Sequence, residues 1–184
     1  MSKTDHAFIC IASGPSLTRE DCALVSRSGL PIIAANSSCM AVPECQYIFA
    51  SDYSWWLHHR GAVPAGPELW TQSRRAAAAF GLRLFRPADS GPFNSGQRAI
   101  QLAAHLGATR IILLGYDCTL ANGIHWHGPH PGVMHNPTPT EVERWQADFA
   151  CLVDQLRDVE IINASRNTRL TCFTRSTIEA VLNA

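Results

Sequence analysis

The chain has almost no lysine: Lys3 is the only one, and the rest of its positive charge is arginine. Fifteen basic residues balance fifteen acidic ones, for a formal net charge of zero. Without a basic surplus, no field draws the protein non-specifically to nucleic acid or to an anionic membrane surface. Arginine's planar fork suits phosphate and carboxylate recognition, although a GC-rich genome accounts for the same bias more simply. No apolar run reaches the ~20 residues that a spanning helix needs. The amino terminus, with Lys3, Asp5 and His6 ahead of a short apolar stretch, lacks the form of a signal peptide. The seven cysteines (Cys10, Cys22, Cys39, Cys45, Cys118, Cys151, Cys172) include no Cys-x-x-Cys pair. Several sit within apolar runs, where a reduced thiol behaves as a small hydrophobe. Their odd number and wide scatter argue against a disulfide framework and for a reducing, cytoplasmic setting. There is no internal repeat and no linker, so residues 1–184 are expected to form a single domain with a substantial core.

What the chain does have is strand-length apolar runs alternating with helical patterns. Phe8 to Ala12 reads as a first strand, broken by Ser13-Gly14-Pro15-Ser16-Leu17 before a short helix from Arg19 to Ser26. Strands are expected at Pro31–Ala35 and Gln46–Ala50, and a helical turn at Trp55–His59. Trp70, an alanine-rich helix from Arg74 to Phe80 and Leu82–Phe85 give a weaker strand-helix-strand pattern. Phe93-Asn94-Ser95-Gly96 then opens a helix over 95–106, which Gly107 stops, and Arg110–Leu114 is a central strand ending on Gly115-Tyr116-Asp117. Residues 118–139 form a long glycine- and proline-rich loop, of a length usually functional or disordered. Thr140 with Glu143 reads as a capping box for a helix through Leu156, followed by a strand at Val159–Ile162 and a terminal helix at Thr177–Leu182. Continuous rather than alternating apolar strands predict an α/β fold, a single Rossmann-like domain whose mainly parallel sheet has helices on both faces.

In such a sheet the carboxyl ends of the strands and the amino ends of the helices face one crevice. Four strands end in polar residues there: Ser13, Asn36-Ser37-Ser38, Ser51-Asp52 and Asp117. Each alone is accounted for as a turn or cap, but their recurrence points to a site. The turns at Gly14–Ser16 and Ser95–Gly96 are each read as opening a helix, which would present free N–H groups to an anion, such as a nucleotide phosphate.

Gly14-Pro15-Ser16-Leu17 after a strand, Asn36 after the second, and Asn94-Ser95-Gly96 leading through Ala99, Leu102 and Leu106-Gly107 to Leu114-Gly115-Tyr116-Asp117 resemble the bacterial sialyltransferases that use CMP-sialic acid. The same skeleton is similar to Maf-type glycosyltransferases and to the archaeal hydroxymethyl-dihydropterin pyrophosphokinase. The resemblance implies a glycosyltransferase acting on a CMP-sugar type of donor, with Ser13, Gly14, Pro15 and Ser16 at the phosphate and Asn36 at the nucleotide. It also implies Asn94, Ser95 and Gly96 lining the nucleotide or sugar site and Asp117 on the ribose or base side. Asp52 stands where those enzymes carry an asparagine, and Thr119 where they carry a tyrosine. Their catalytic histidine lies just before the long helix, where His135, or else His130, stands here.

Half of the eight histidines lie in that loop, as His125-Trp126-His127-Gly128-Pro129-His130 and His135. A histidine at the crevice mouth can take the proton of an acceptor hydroxyl, because imidazole titrates near neutrality. Trp126 is a candidate to stack on a sugar or base ring. Three alternatives stay open for the loop and for the chain. His125 with His127 could chelate zinc, copper or nickel. Asp52 and Asp117 could hold Mg for a pyrophosphokinase or nucleotide phosphohydrolase. The chain could also be a non-catalytic nucleotide-binding module with a solvated loop. The expected partners are a nucleotide-sugar donor and an acceptor that is a glycan, protein, lipid or modified nucleobase. No resident cofactor is expected for the transferase, and a homo-oligomer is compatible with the sequence.

Overall fold

The computed structural model describes residues 6–89, 91–132 and 134–183; Lys3 and Asp5 lie outside the described residues. Eight strands, β1 (Ala7–Ile11), β2 (Ile32–Ala35), β3 (Tyr47–Phe49), β4 (Glu68–Thr71), β5 (Arg83–Leu84), β6 (Arg110–Leu114), β7 (Glu160–Asn163) and β8 (Thr174–Arg175), form one sheet in the order β5-β4-β3-β2-β1-β6-β7-β8. Every neighbouring pair is parallel. The chain builds outward from β1 to β5 and then crosses back to lay β6 on the other side of β1. Strand order therefore reverses between β1 and β6, the place where open α/β sheets bind ligands.

Burial on both faces explains why the strands read as unbroken apolar runs. Phe8 and Cys10 of β1 pack with Ile111 and Leu113 of β6 on one face, beneath α4 (Ser95–His105) and α5 (Pro139–Gln155). Ile9 and Ile11 pack with Ile112 and Leu114 on the other, against α1 (Arg19–Arg27), α2 (Tyr53–His59), α3 (Arg74–Phe80) and α6 (Ile178–Leu182). Cys10, Cys22, Cys39 and Cys45 are buried free thiols, and burial pushes those of Cys39 and Cys45 up to about 12. They serve as small apolar side chains. No helix among the described residues is long and apolar enough to cross a membrane.

The crossover helix α4 matters most for the site, because it packs on β1, β2 and β3 and its first turn sits at their carboxyl ends. Asn94 and Gln97 cap it reciprocally: the Asn94 side chain accepts from the Gln97 N–H at 2.9 Å, and the Gln97 side chain accepts from the Asn94 N–H at 2.7 Å. Such a cap contributes about 1 kcal/mol. Buried Arg98 fixes the loop that leads in, donating to Asp89 at 3.0 Å and to the Gly91 carbonyl at 2.5 Å. Gln101 ties the same carboxylate, at 2.6 Å, to Gln155 of α5.

Two boundaries differ from the sequence reading in ways that bear on the site. Helix α5 begins at Pro139, capped by Thr138 with Glu141 rather than by Thr140 with Glu143. Proline's fixed φ and missing N–H suit the first helical position, and this selects the earlier of two overlapping capping patterns. Helix α1 is capped by Thr18, so the Gly14–Ser16 turn does not open it directly. The strand β8 and a 3₁₀ turn at Asn36–Met40 were not anticipated.

Candidate functional site

A cavity of about 480 Å³ lies over the carboxyl ends of β1, β2, β3 and β6. Ser13, Gly14, Pro15, Asn36, Asp52, Asn94, Ser95, Gly96 and Asp117 line it, as do His125, His130 and His135. The structure thus gathers nearly all the residues singled out from the sequence. Ser16, His127 and Trp126 do not line it.

The turn after β1 does not do what was expected of it. Gly14 donates its N–H to the Gly115 carbonyl at 2.8 Å, and Ser16 donates its N–H to Asp117 at 2.8 Å and its hydroxyl at 2.7 Å. Pro15 has no N–H to give. The N–H groups of Gly14 and Ser16 are therefore spent on β6's end and are not offered to a phosphate. Asp117 is buried, with both oxygens engaged by Ser16, so it laces the two strand ends at the switch point. Burial raises its carboxyl above the ordinary range, against the pull of the two Ser16 donors. Only glycine fits at two of these positions: a Cβ on Gly14 would collide with Asp117 and with the Gly115 carbonyl, and Gly115 itself has φ +70° with Ala12 against it.

The opposite wall does present donors. The N–H groups of Ser95 and Gly96, at the first two positions of α4, have no acceptor among the described residues, as the opening of a helix dictates. The Ser95 hydroxyl accepts from the Ser51 N–H at 3.0 Å, tying the helix start to the end of β3. Around it, the Oδ1 of Asn36 and the Oγ of Ser51 are buried without partners. Unpaired buried polar atoms are costly, and here they edge a cavity. Asn36 also has φ +52°, and Cys118 +50°, two left-handed non-glycine residues that both line it. Such strain clusters at ligand sites. Asp52 starts α2 but makes no capping bond, leaving an exposed carboxylate at the rim.

The loop wall carries the histidines. His135 is mostly exposed, its Nε2 at 2.9 and 3.0 Å from the two oxygens of Glu141. Burial would raise the Glu141 carboxyl, but the N–H and hydroxyl of Thr138, together with His135, outweigh it and hold it below the usual range. His125 is half-buried, and burial followed by the neighbouring rings of His130 and His127 pushes it down to about 4. Burial, then His59, lowers His127, and burial, then His127 and His59, lowers His130. Trp126 faces away: its backbone N–H donates to the Ser13 carbonyl at 3.0 Å, its ring packs with the α1-side core, and its indole N–H is buried without a partner among the described residues. The ring does not line the cavity, so it is not placed to stack on a ligand there. His58 and His105 are exposed, and Trp55 and Trp56 are core residues, as read from the sequence.

Two residues were missed. Arg144, one turn into α5, is the only arginine lining the cavity among the described residues, and Glu141 is the partner of His135. Both sit three apart on the helix face that carries Trp145 and Phe149 inward, a spacing visible in the sequence once the helix start is placed at Pro139. Among the described residues, no three acidic, histidine or cysteine side chains already surround a common point. The sequence matches no protein-family model and no curated protein.

Proposed function

We propose that the cavity binds the phosphate-bearing end of a nucleotide-activated donor at the first turn of α4 and that the protein transfers the activated group to an acceptor hydroxyl. The observation that carries the reading is the pair of unpartnered Ser95 and Gly96 N–H groups beside the orphaned polar atoms of Asn36 and Ser51, at a helix start that favours negative charge. The donor is read as a CMP-sugar type of molecule on the resemblance of the Gly-Pro-Ser-Leu and Ser-Gly-helix-strand-Gly-x-Asp pattern.

In the reaction, the acceptor oxygen forms a bond to the sugar's anomeric carbon while the bond from that carbon to the phosphate oxygen breaks. The acceptor's proton goes to His135, and the charge left on the departing phosphate falls to the α4 N–H groups and Arg144. Glu141 orients the His135 ring, the supporting role a carboxylate plays behind a general base. Burial keeps His125 and His130 neutral, so they add no competing charge at the acceptor side. Titration with CMP, UDP and ATP, each with and without magnesium, tests the reading. Binding of a nucleotide that survives chelation supports it, whereas binding that requires magnesium moves the assignment to phosphoryl transfer.

A further inference from the structure

The three histidines in the middle of the loop form a cluster that the transfer reaction does not use. Gly128, at φ +84°, turns the chain after His125-Trp126-His127, and its N–H closes the turn onto the His125 carbonyl at 3.0 Å. This folds His130 back onto the other two. Ring centres are 5.0 Å apart for His125 and His127, 4.7 Å for His125 and His130, and 5.0 Å for His127 and His130. The backbone beneath is held: Asn136 both accepts from the His130 N–H at 2.8 Å and donates to its carbonyl at 3.1 Å, and Trp126 is bonded to Ser13.

Two features make this more than ring packing. The rings of His125 and His127 meet backbone groups, at Ser13 and at His127 and Gly128 respectively, and the Nε2 of His125 is buried with no partner among the described residues. A buried unpaired imidazole nitrogen is a lone pair without an acceptor role, which costs free energy unless something binds it. The spacing is also that of ligands. With metal–nitrogen bonds of about 2.0–2.1 Å and a ring centre about 1.1 Å farther out, imidazoles on one ion have centres roughly 4.5 Å apart at octahedral angles and roughly 5.2 Å apart at tetrahedral ones. The observed separations fall between these limits. The nitrogens do not converge as the rings stand, with those of His125 and His127 nearly parallel at 20°, so ligation requires the rings to turn.

We propose that His125, His127 and His130 are a three-imidazole site for a transition-metal ion of the zinc class, which on binding pins the loop over the cavity. An all-nitrogen, carboxylate-free donor set favours zinc, nickel, cobalt or copper and disfavours magnesium and calcium. His125 and His130 line the cavity, so the site lies at its edge.

The full chain, stripped of metal by chelator and dialysed, is titrated with zinc by calorimetry, with magnesium in parallel, and with cobalt by visible absorption. The site predicts one zinc per chain, no magnesium competition, and the intense cobalt spectrum of a four-coordinate nitrogen site. His127→Gln and His130→Gln should each weaken zinc by about a hundredfold or more, beyond what loss of a mere orienting partner costs, while His58→Ala and His105→Ala leave it unchanged. His127 is exposed, so its variant stays informative if the His130 variant fails to fold. Absence of zinc binding by the unmodified chain, equal competition by magnesium, or zinc affinity unchanged in His127→Gln would overturn the proposal. Nucleotide titration of the metal-free chain is read separately, so failure here leaves the donor-site reading to stand or fall on its own.

Discussion

Replacing Ser16 with alanine removes one of the two donors that hold the buried Asp117 carboxylate and so loosens the seam between the ends of β1 and β6. The hydroxyl lies 2.7 Å from the carboxylate, and the Ser16 N–H remains in the variant at the other oxygen. A hydrogen bond to a charged group contributes about 1.5–3 kcal/mol, and the half-buried position of Ser16 points to the lower end, about 1.5 kcal/mol. For a chain of this size that corresponds to a fall in Tm of about 3–6 °C. The pH dependence has a definite sign. Burial raises the Asp117 carboxyl in the folded state, so the folded chain holds this proton more tightly than the unfolded one. Stability from this group is greatest at low pH and declines as pH rises through its raised value. Loss of the hydroxyl raises that value further, because a donor to the ionised form has gone. The gap between wild type and Ser16→Ala should therefore be small at pH about 4 and full at neutral pH. Thermal unfolding followed by circular dichroism across that range measures it. An equal Tm for the two proteins at neutral pH, or a gap that widens on acidification, would refute the lacing role of Asp117.

At Gly14, alanine drives a Cβ into the Asp117 carboxylate and the Gly115 carbonyl, neither of which can yield, and urea unfolding should show a loss of about 3 kcal/mol or more. His135→Ala should slow turnover by roughly 10²–10⁴-fold with donor affinity unchanged in calorimetry; full activity with an unaltered acidic limb would show that another group is the base. Glu141→Gln should preserve donor affinity and reduce turnover by less than His135→Ala, and a loss as large as that of His135→Ala would give the carboxylate a more direct part. Asp117→Asn can keep both contacts, its oxygen accepting from the Ser16 N–H and its amide donating to the Ser16 hydroxyl, so nucleotide affinity should change little with or without chelator. A strong, magnesium-dependent loss would return Asp117 to a metal-binding role.

How much of this was legible in the sequence follows from where the information lies. Strands such as β1 and β6 are apolar at every position because both faces are buried, and α4 announces itself through the Asn94–Gln97 cap. Strands β5 and β8, two residues each with exposed positions, carry little such signal. The polar strand ends correctly marked the cavity, but composition could not tell which polar group faces it and which is spent internally. Ser16 and Asp117 are 101 residues apart and meet only because β1 and β6 are neighbours. Trp126 was misplaced for a related reason, since its ring packs on the α1-side core, far from it in sequence. Arg144 and Glu141 became visible as cavity residues only with the helix start at Pro139, where two overlapping Thr-x-x-Glu patterns had competed.

The central claim is that the first turn of α4 receives the anionic end of the ligand, and Gly96→Val tests it most directly. A Cβ at Gly96 already comes within 3.2 Å of the Asn94 oxygen and 3.3 Å of the Tyr116 ring, so the branched side chain crowds the free N–H groups. The next neighbour, the Ala12 Cβ just past β1, is at an ordinary 3.7 Å. Nucleotide calorimetry on wild type and Gly96→Val, with thermal unfolding as the control for folding, should show binding in the first and its loss in a variant that still unfolds cooperatively. Equal nucleotide affinity in a folded Gly96→Val protein would contradict the account.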